Sequence, residues 1–209
     1  MRNSIYENRG GLFIGFHGCD ESVRDDLVMN PKNVKISQET YDWLGHGFYV
    51  WENNFERAFD WAKDKKKRGT LEKPSVVGVV YQLDLCLDFT DSLYTKVISE
   101  FYNLLKTDLS EAGKPLPQNR DIGSKKHSDL VIRELDCAVI EYMHNKIETQ
   151  IAKDLKDKNF SLYKNFDTVR GVFTEGGPAF DGAGIQTKNH IQICIRNLDC
   201  IKAFFIPKK

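Results

Sequence analysis

Asp42-Trp43-Leu44-Gly45-His46-Gly47-Phe48-Tyr49-Val50-Trp51-Glu52-Asn53-Asn54-Phe55-Glu56-Arg57-Ala58-Phe59-Asp60-Trp61-Ala62 is the stretch whose reading decides the fold. It has three parts. Gly45-His46-Gly47 is a flexible lead-in, because glycine tolerates backbone angles and close approaches that other residues resist. Phe48-Tyr49-Val50-Trp51 is a short strand of aromatic and β-branched residues. Asn53 or Asn54 then offers a helix N-cap and Glu56 falls in the first turn. Phe55, Ala58, Phe59 and Ala62 recur at helical spacing, which predicts a helix over 54–67. A glycine turn, an aromatic strand and a capped helix can together hold a tyrosine rigidly beside a ligand. Taken alone, the same residues are better read as core, with Phe48, Tyr49 and Trp51 simply buried. What lies upstream at His17 and downstream at Gln192 alters that balance.

Upstream, Leu12-Phe13-Ile14-Gly15-Phe16-His17-Gly18 reads as a strand with a histidine at its C-terminal end. His17 is either a satisfied core or edge histidine or a binding group. Gly18 after it allows a backbone to approach a ligand with no Cβ in the way. Residues 20–42 are polar, with a short helix expected at Glu21–Met29 and irregular chain after Asn30-Pro31. Downstream, Lys63 to Arg68 put cations on the last helical turn, where they suit the helix dipole, and Gly69 stops it. That run is a solvated helix end or, alternatively, a phosphate or nucleic-acid patch. Ser75–Leu83 is a continuous apolar run of strand length, and Leu85–Phe89 a further short strand.

Ser92–Leu109 and Ser128–Ile151 carry apolar residues at helical spacing, joined by a loop over 111–127. They read as an insertion at about 90–160 that covers one face or selects a partner. Phe166–Phe173 is a strand. A long glycine-rich loop, Thr174–Asn189, follows, and such loops tend to be functional or mobile. His190-Ile191-Gln192-Ile193-Cys194-Ile195-Arg196 alternates, placing His190, Gln192 and Cys194 on one face. A last strand runs from Cys200 to Ile206.

The 209 residues suit a single domain, 1–209, and the 11% aromatic content supports a real core. Lys+Arg and Asp+Glu both number 30, so no global field draws the chain to nucleic acid or membrane. Five cysteines without a Cys-x-x-Cys pair argue against a disulfide framework or a zinc site and fit a reducing cytoplasm. No apolar run reaches membrane-spanning length, and Met1–Gly11 lacks a signal-peptide core. The expected setting is therefore cytoplasmic, with no membrane and no metal. The element order departs from βαβ alternation, and no Gly-x-Gly-x-x-Gly links a strand to a helix. The fold class is α+β, and a dehydrogenase is not expected.

Phe16-His17-Gly18, then Gly47-Phe48-Tyr49-Val50 with Ala58 and Trp61-Ala62, then Ile191-Gln192-Ile193-Cys194-Ile195 resemble the ADP-ribosyltransferase superfamily. The similarity is to its diphtheria-toxin and poly(ADP-ribose) polymerase branch, which includes many uncharacterised bacterial members. It spans the chain ends and leaves 90–160 unmatched. It implies split, mostly antiparallel sheets around an NAD cleft, with the helical insertion beside them. It also implies that NAD is the substrate. Its carboxamide would lie against Gly18 and its nicotinamide would stack on Tyr49; Gly47 and Phe48 count among the cofactor-binding residues, although alternation along the strand turns Phe48 toward the core. His17 would donate to a ribose hydroxyl or seat the adenosine side.

The branch carries an acidic residue where this chain has Gln192, an amide that can hydrogen-bond but bears no charge. Three consequences stay open: Glu175 supplies the acid, Gln192 orients a slow single transfer, or catalysis is lost. Glu175 is otherwise an exposed loop carboxylate. His190 is either an acceptor-recognising group or an exposed strand histidine. The resemblance implies an NAD-dependent mono-ADP-ribosyltransferase acting on a protein or nucleic-acid acceptor, in the manner of toxin or defence effectors with a neutralising partner protein. The alternatives are an NAD glycohydrolase, a non-catalytic NAD or ADP-ribose-binding module, and an unrelated α+β domain with coincidental motifs.

Overall fold

The computed structural model describes residues 8–121 and 129–208. The start of the polar N-terminal segment, the end of the 111–127 loop and the helix start expected at Ser128 lie outside the described residues. The chain runs β1 (Asn8–Arg9), β2 (Phe13–Asp20), α1 (Glu21–Met29), β3 (Phe48–Glu52), α2 (Phe55–Lys67), β4 (Pro74–Tyr81) and β5 (Asp84–Asp88). It continues α3 (Ser92–Glu111), β6 (Asn119–Arg120), β7 (Ile132–Arg133), α4 (Glu134–Lys158), β8 (Thr168–Phe173), β9 (His190–Ile195) and β10 (Ile201–Phe205).

The architecture is α+β. One eight-stranded sheet has the order β1-β5-β8-β9-β3-β2-β4-β10, and β6 and β7 form a separate small ribbon. Every junction in the large sheet is antiparallel except β5–β8. The strands therefore join as one sheet, where two small ones were expected, and the join has a weak seam. β2 and β3 pair only at Gly15–Glu52 and Phe16–Trp51. β2 meanwhile follows β4 over eight pairs, from Phe13–Tyr81 to Asp20–Pro74. Past Phe16 the two strands part. The His17 ring reaches across the gap, with Nδ1 2.8 Å from the Tyr49 carbonyl oxygen. A side chain thus satisfies a backbone acceptor that the ladder leaves open.

Strand alternation sorts β3 onto two faces. Phe48 and Val50 enter a core with Val77, Val79, Tyr81, Ile193 and Ile195, covered by Leu27 of α1. Tyr49 faces the other way, toward Leu44, Met143, Val169 and Cys194, a layer closed by α3 and α4. The helices of the 90–160 segment are therefore part of the core over one sheet face. Helix α2 packs through small residues. Ala58 and Ala62 are fully buried, and a Cβ at Gly18 would fall 2.1 Å from the Ala58 carbonyl oxygen. Asn54 caps α2, its Oδ1 accepting from the Arg57 amide at 3.0 Å, and Gly69 follows the helix at φ 76°.

The largest departures from the expected helix bounds are at the two ends of α4. α4 starts at Glu134 and ends at Lys158, beyond the expected Ile151. Its first free amides, Leu135 and Asp136, are capped by Asn119 Oδ1 at 3.0 and 3.3 Å, a distant partner that local spacing does not reveal. Its polar last turns stay helical because Asp154 accepts from Gln150, Lys158 and Ser161. Asn159 then ends it in the left-handed region at φ 60°. The five cysteines are buried thiols. Among the described residues no helix is long and apolar enough to cross a membrane.

Candidate functional site

A cleft of about 180 Å³ opens where β2 and β3 part. β3 and β9 supply Tyr49, Trp51, His190 and Gln192. α2 supplies Arg57, Trp61 and Lys65, and the 35–43 loop supplies Lys35, Ser37, Tyr41, Asp42 and Trp43. Phe173 and Glu175 close it from the end of β8.

The cleft brings together His17, Gly47, Phe48, Tyr49, Glu175 and Gln192 of the expected site. Gly18 is not on its wall; its bare Cα is used for contact with α2. The Gly47 Cα serves strand packing as well, since a Cβ there would meet Cys194 Sγ at 2.5 Å and the Ile195 carbonyl at 2.6 Å. Phe48 is 3% exposed and backs the His17 ring at a centroid distance of 4.5 Å.

His17 has a fixed polarity. A carbonyl only accepts, so Nδ1 carries the proton toward Tyr49. Burial lowers its pKa to about 4, so the ring is neutral at pH 7. Nε2 is then an acceptor, and a ligand hydroxyl would donate to it, the reverse of the expected direction. Tyr49 is clamped through its hydroxyl, which accepts from the Leu44 amide at 2.9 Å and donates to the Gly45 carbonyl at 2.8 Å. Burial raises its pKa well above the ordinary value, so it stays a phenol. The clamp is braced from α4. Glu141 accepts from the His46 amide at 2.8 Å and pairs with Arg196, which donates to the His46 carbonyl at 3.1 Å.

Gln192 lies directly opposite Trp51 on β3 and Gly171 on β8. Trp43 donates its indole N–H to Gln192 Oε1. Gly171 makes the seat for that indole, because a Cβ there would lie 2.7 Å from Trp43 Cη2. An indole only donates, so the amide oxygen must face it and the amide nitrogen is left for the cleft.

Glu175 is a buried carboxylate, 9% exposed, in an ion pair with Arg57. The loop that carries it is internally tied. Lys188 N donates to Glu175 O at 3.0 Å, Thr187 N to Gly177 O at 2.9 Å and Ala179 N to Ile185 O at 2.8 Å. These bonds prolong the β8–β9 hairpin. His190 is also buried. It stacks on Phe173 at 5.4 Å and 10° and donates through Nδ1 to the Lys188 carbonyl, and burial lowers its pKa to about 4. Lys35, Arg57 and Lys65 set three cations on the cleft against Asp42 and Glu175. Asp42 is tied to Ser37 Oγ and the Glu39 amide at 3.0 and 2.8 Å. Among the described residues no group of three or more His, Cys, Asp or Glu is placed to hold a metal.

The chain has an archaeal relative. It is 24% identical over 208 residues to an uncharacterized protein of Methanocaldococcus jannaschii, covering 90% of this chain and 83% of that one. The similarity thus takes in most of both chains rather than one motif. No protein-family model matches, and no solved structure matches.

The expected site omitted Trp43, Arg57, Trp61 and Lys65. Arg57, Trp61 and Lys65 had a signal. They recur at i, i+4 and i+8, beside the Ala58–Ala62 stripe that packs on the sheet. Trp43 had none, since its partner is 149 residues away.

Proposed function

We propose that the cleft binds NAD⁺ and that the chain is an NAD-dependent mono-ADP-ribosyltransferase acting on a protein or nucleic-acid acceptor. One observation carries this reading. The three strands that bear the His-Gly, Gly-Phe-Tyr and Gln192 elements are far apart in sequence, yet they are the neighbours β2, β3 and β9, and His17, Tyr49 and Gln192 line one cleft. Tyr49 offers an immobile ring for the nicotinamide, a contact of roughly 0.5–1.5 kcal/mol beyond burial. His17 Nε2 accepts from a ribose hydroxyl, and the Gln192 amide nitrogen donates to a ribose oxygen. The Glu175 carboxylate is the negative group suited to the positive charge that develops as nicotinamide leaves. Lys35 and Lys65 suit the phosphates. The cleft is smaller than the roughly 300–1,000 Å³ of sites that enclose a ligand, so it suits the nicotinamide end, with the rest of the dinucleotide across its open mouth.

The neutral amide of Gln192 favours a second reading, in which the cleft holds NAD⁺ or ADP-ribose without turnover. Nicotinamide release by the purified protein, with and without cell lysate, separates the two. Release abolished by Tyr49→Ala and by Gln192→Ala supports an enzyme at this site, and lysate dependence supports transfer over hydrolysis. Tyr49-dependent binding without release supports the binding module. Neither binding nor release overturns both.

A further inference from the structure

We infer that Arg57 is a receptor for a phosphate or pyrophosphate group, closed in the ligand-free protein by Glu175, which an incoming anion displaces. That the natural anion belongs to a dinucleotide rests on the function proposed above; the receptor itself does not.

Arg57 and Glu175 are each 11% exposed at the side chain, and the ion pair engages Arg57 through Nη2. Arg57 Nε and Nη1 are buried with no hydrogen-bond partner. A guanidinium presents its donors in a fork that matches a bidentate oxyanion, and buried donors without acceptors are costly. A second side chain has the same deficit. Trp51, 3% exposed and also on the cleft wall, buries its indole N–H without an acceptor. Its ring lies 6.0 Å from that of Trp61, one turn beyond Arg57 on α2. Unpaired donors on two cleft residues call for a ligand rich in acceptor oxygens. Lys35 and Lys65 on the same walls add positive potential, so the ligand is an anion. The Glu175 carboxylate engages Nη2 and serves none of these nitrogens. A phosphate has oxygens enough for Nε, Nη1 and the indole.

The exchange needs no loop opening. The Lys188 amide holds the Glu175 carbonyl, and Gly176 and Gly177 take the tight turn at φ 93° and 76°. The backbone therefore stays while the Glu175 side chain rotates away. The displaced carboxylate remains in the cleft as a mobile negative group.

Calorimetric titration with sodium pyrophosphate at fixed ionic strength tests this on the wild type, Glu175→Gln and Arg57→Gln. Glu175→Gln is expected to tighten pyrophosphate binding at least threefold, by removing the competing charge. Arg57→Gln is expected to weaken it at least tenfold. A gain of affinity cannot come from a damaged fold, so the Glu175 variant keeps the test sound if Arg57→Gln is unstable. Unchanged or weaker binding by Glu175→Gln, no binding to any variant, or wild-type binding by Arg57→Gln overturns the receptor. NAD⁺ serves as the competitor. If pyrophosphate follows the expected pattern and NAD⁺ does not displace it, the receptor stands and the dinucleotide reading falls. If NAD⁺ binds through Tyr49 with equal affinity in all three proteins, the receptor falls and the dinucleotide reading stands.

Discussion

Trp43 donates its indole N–H to the side-chain oxygen of Gln192, 149 residues further along the chain, and so decides which end of that amide meets the cleft. Trp43→Phe keeps a ring over Gly171 and removes the donor. The Gln192 oxygen is then buried unpaired, a loss of about 1–3 kcal/mol that a urea unfolding midpoint will show. Gly171→Ala reaches the same pair from below. Its methyl would press on Trp43 Cη2 at 2.7 Å and Leu44 Cδ2 at 3.0 Å, and overpacking of this kind costs about 1–3 kcal/mol.

Gln192→Glu should behave differently. A carboxylate still accepts from Trp43, so the fold is expected to hold with an unfolding midpoint close to wild type. It also adds a negative charge where a developing cation would be stabilised. Nicotinamide release from NAD⁺ is expected to rise at least tenfold over wild type. No rise, with NAD⁺ binding intact, would count against Gln192 lying beside the reacting carbon.

The longer strands, α1 and α2 were legible in the sequence because local patterning dictates them: the Phe48–Trp51 strand, the Asn54 cap, and the small residues Ala58 and Ala62 that let α2 lie on β2. The two-residue strands β1, β6 and β7 were not, since the sequence reads as polar chain, loop and helix there and two residues are too few to show alternation. Other features were written in pairs of distant residues. The α4 start depends on Asn119, the Gln192 orientation on Trp43, and the burial of Glu175 on Arg57. A loop carboxylate beside two glycines reads as exposed until its cation is known to lie opposite. The single sheet with a weak seam was hidden for the same kind of reason. Strand pairing at Gly15 and Phe16 followed by separation at His17 is a matter of register, which apolar patterning alone does not specify.

The Tyr49 hydroxyl is predicted to be structural and its ring functional. Tyr49→Phe leaves the buried Leu44 amide without its acceptor and the Gly45 carbonyl with only the weak Cys194 thiol donor at 3.3 Å. The expected loss is about 1–3 kcal/mol, and a chain of this size loses roughly 2–4 °C in Tm per kcal/mol. NAD⁺ affinity should fall less in Tyr49→Phe than in Tyr49→Ala, because the stacking surface remains. Equal losses would place the binding role on the hydroxyl.

Acid should unfold the protein through its histidines. Burial is the main cause that lowers His17, His144 and His190 from 6.5 to about 4. Between those values the unfolded chain binds more protons than the folded one, so stability falls as pH falls from 6.5 toward 4 and levels off below it. Three such groups sum to a loss on the order of the roughly 5–15 kcal/mol that holds a typical domain together. His144 gives a clean test, lying in α4 with a buried Nε2 that has no partner. His144→Met is expected to move the acid unfolding midpoint downward, followed by circular dichroism. An unchanged midpoint would assign the acid limb to other groups.

Glu141 and Arg196 form the brace that ties α4 to the Tyr49 clamp, and their side chains are 19% and 16% exposed. Burial acts to raise the Glu141 pKa, but the hydrogen bond and charge of Arg196 prevail and hold it below the ordinary value. Its contribution is therefore present at neutral pH and lost as pH falls through the lowered value. Glu141→Gln keeps an oxygen for the His46 amide and strips Arg196 of its counter-charge. The expected cost is about 2–3 kcal/mol, below the roughly 3–5 of a sealed pair because water reaches this one. Arg196→Met should cost a similar amount. The double variant should lose clearly less than the two singles added, because each single strands a charge that the double removes. Strict additivity in urea unfolding would show that α4 is held to the cleft by its apolar face alone, through Met143 and Ile147, and that the brace does not position Tyr49.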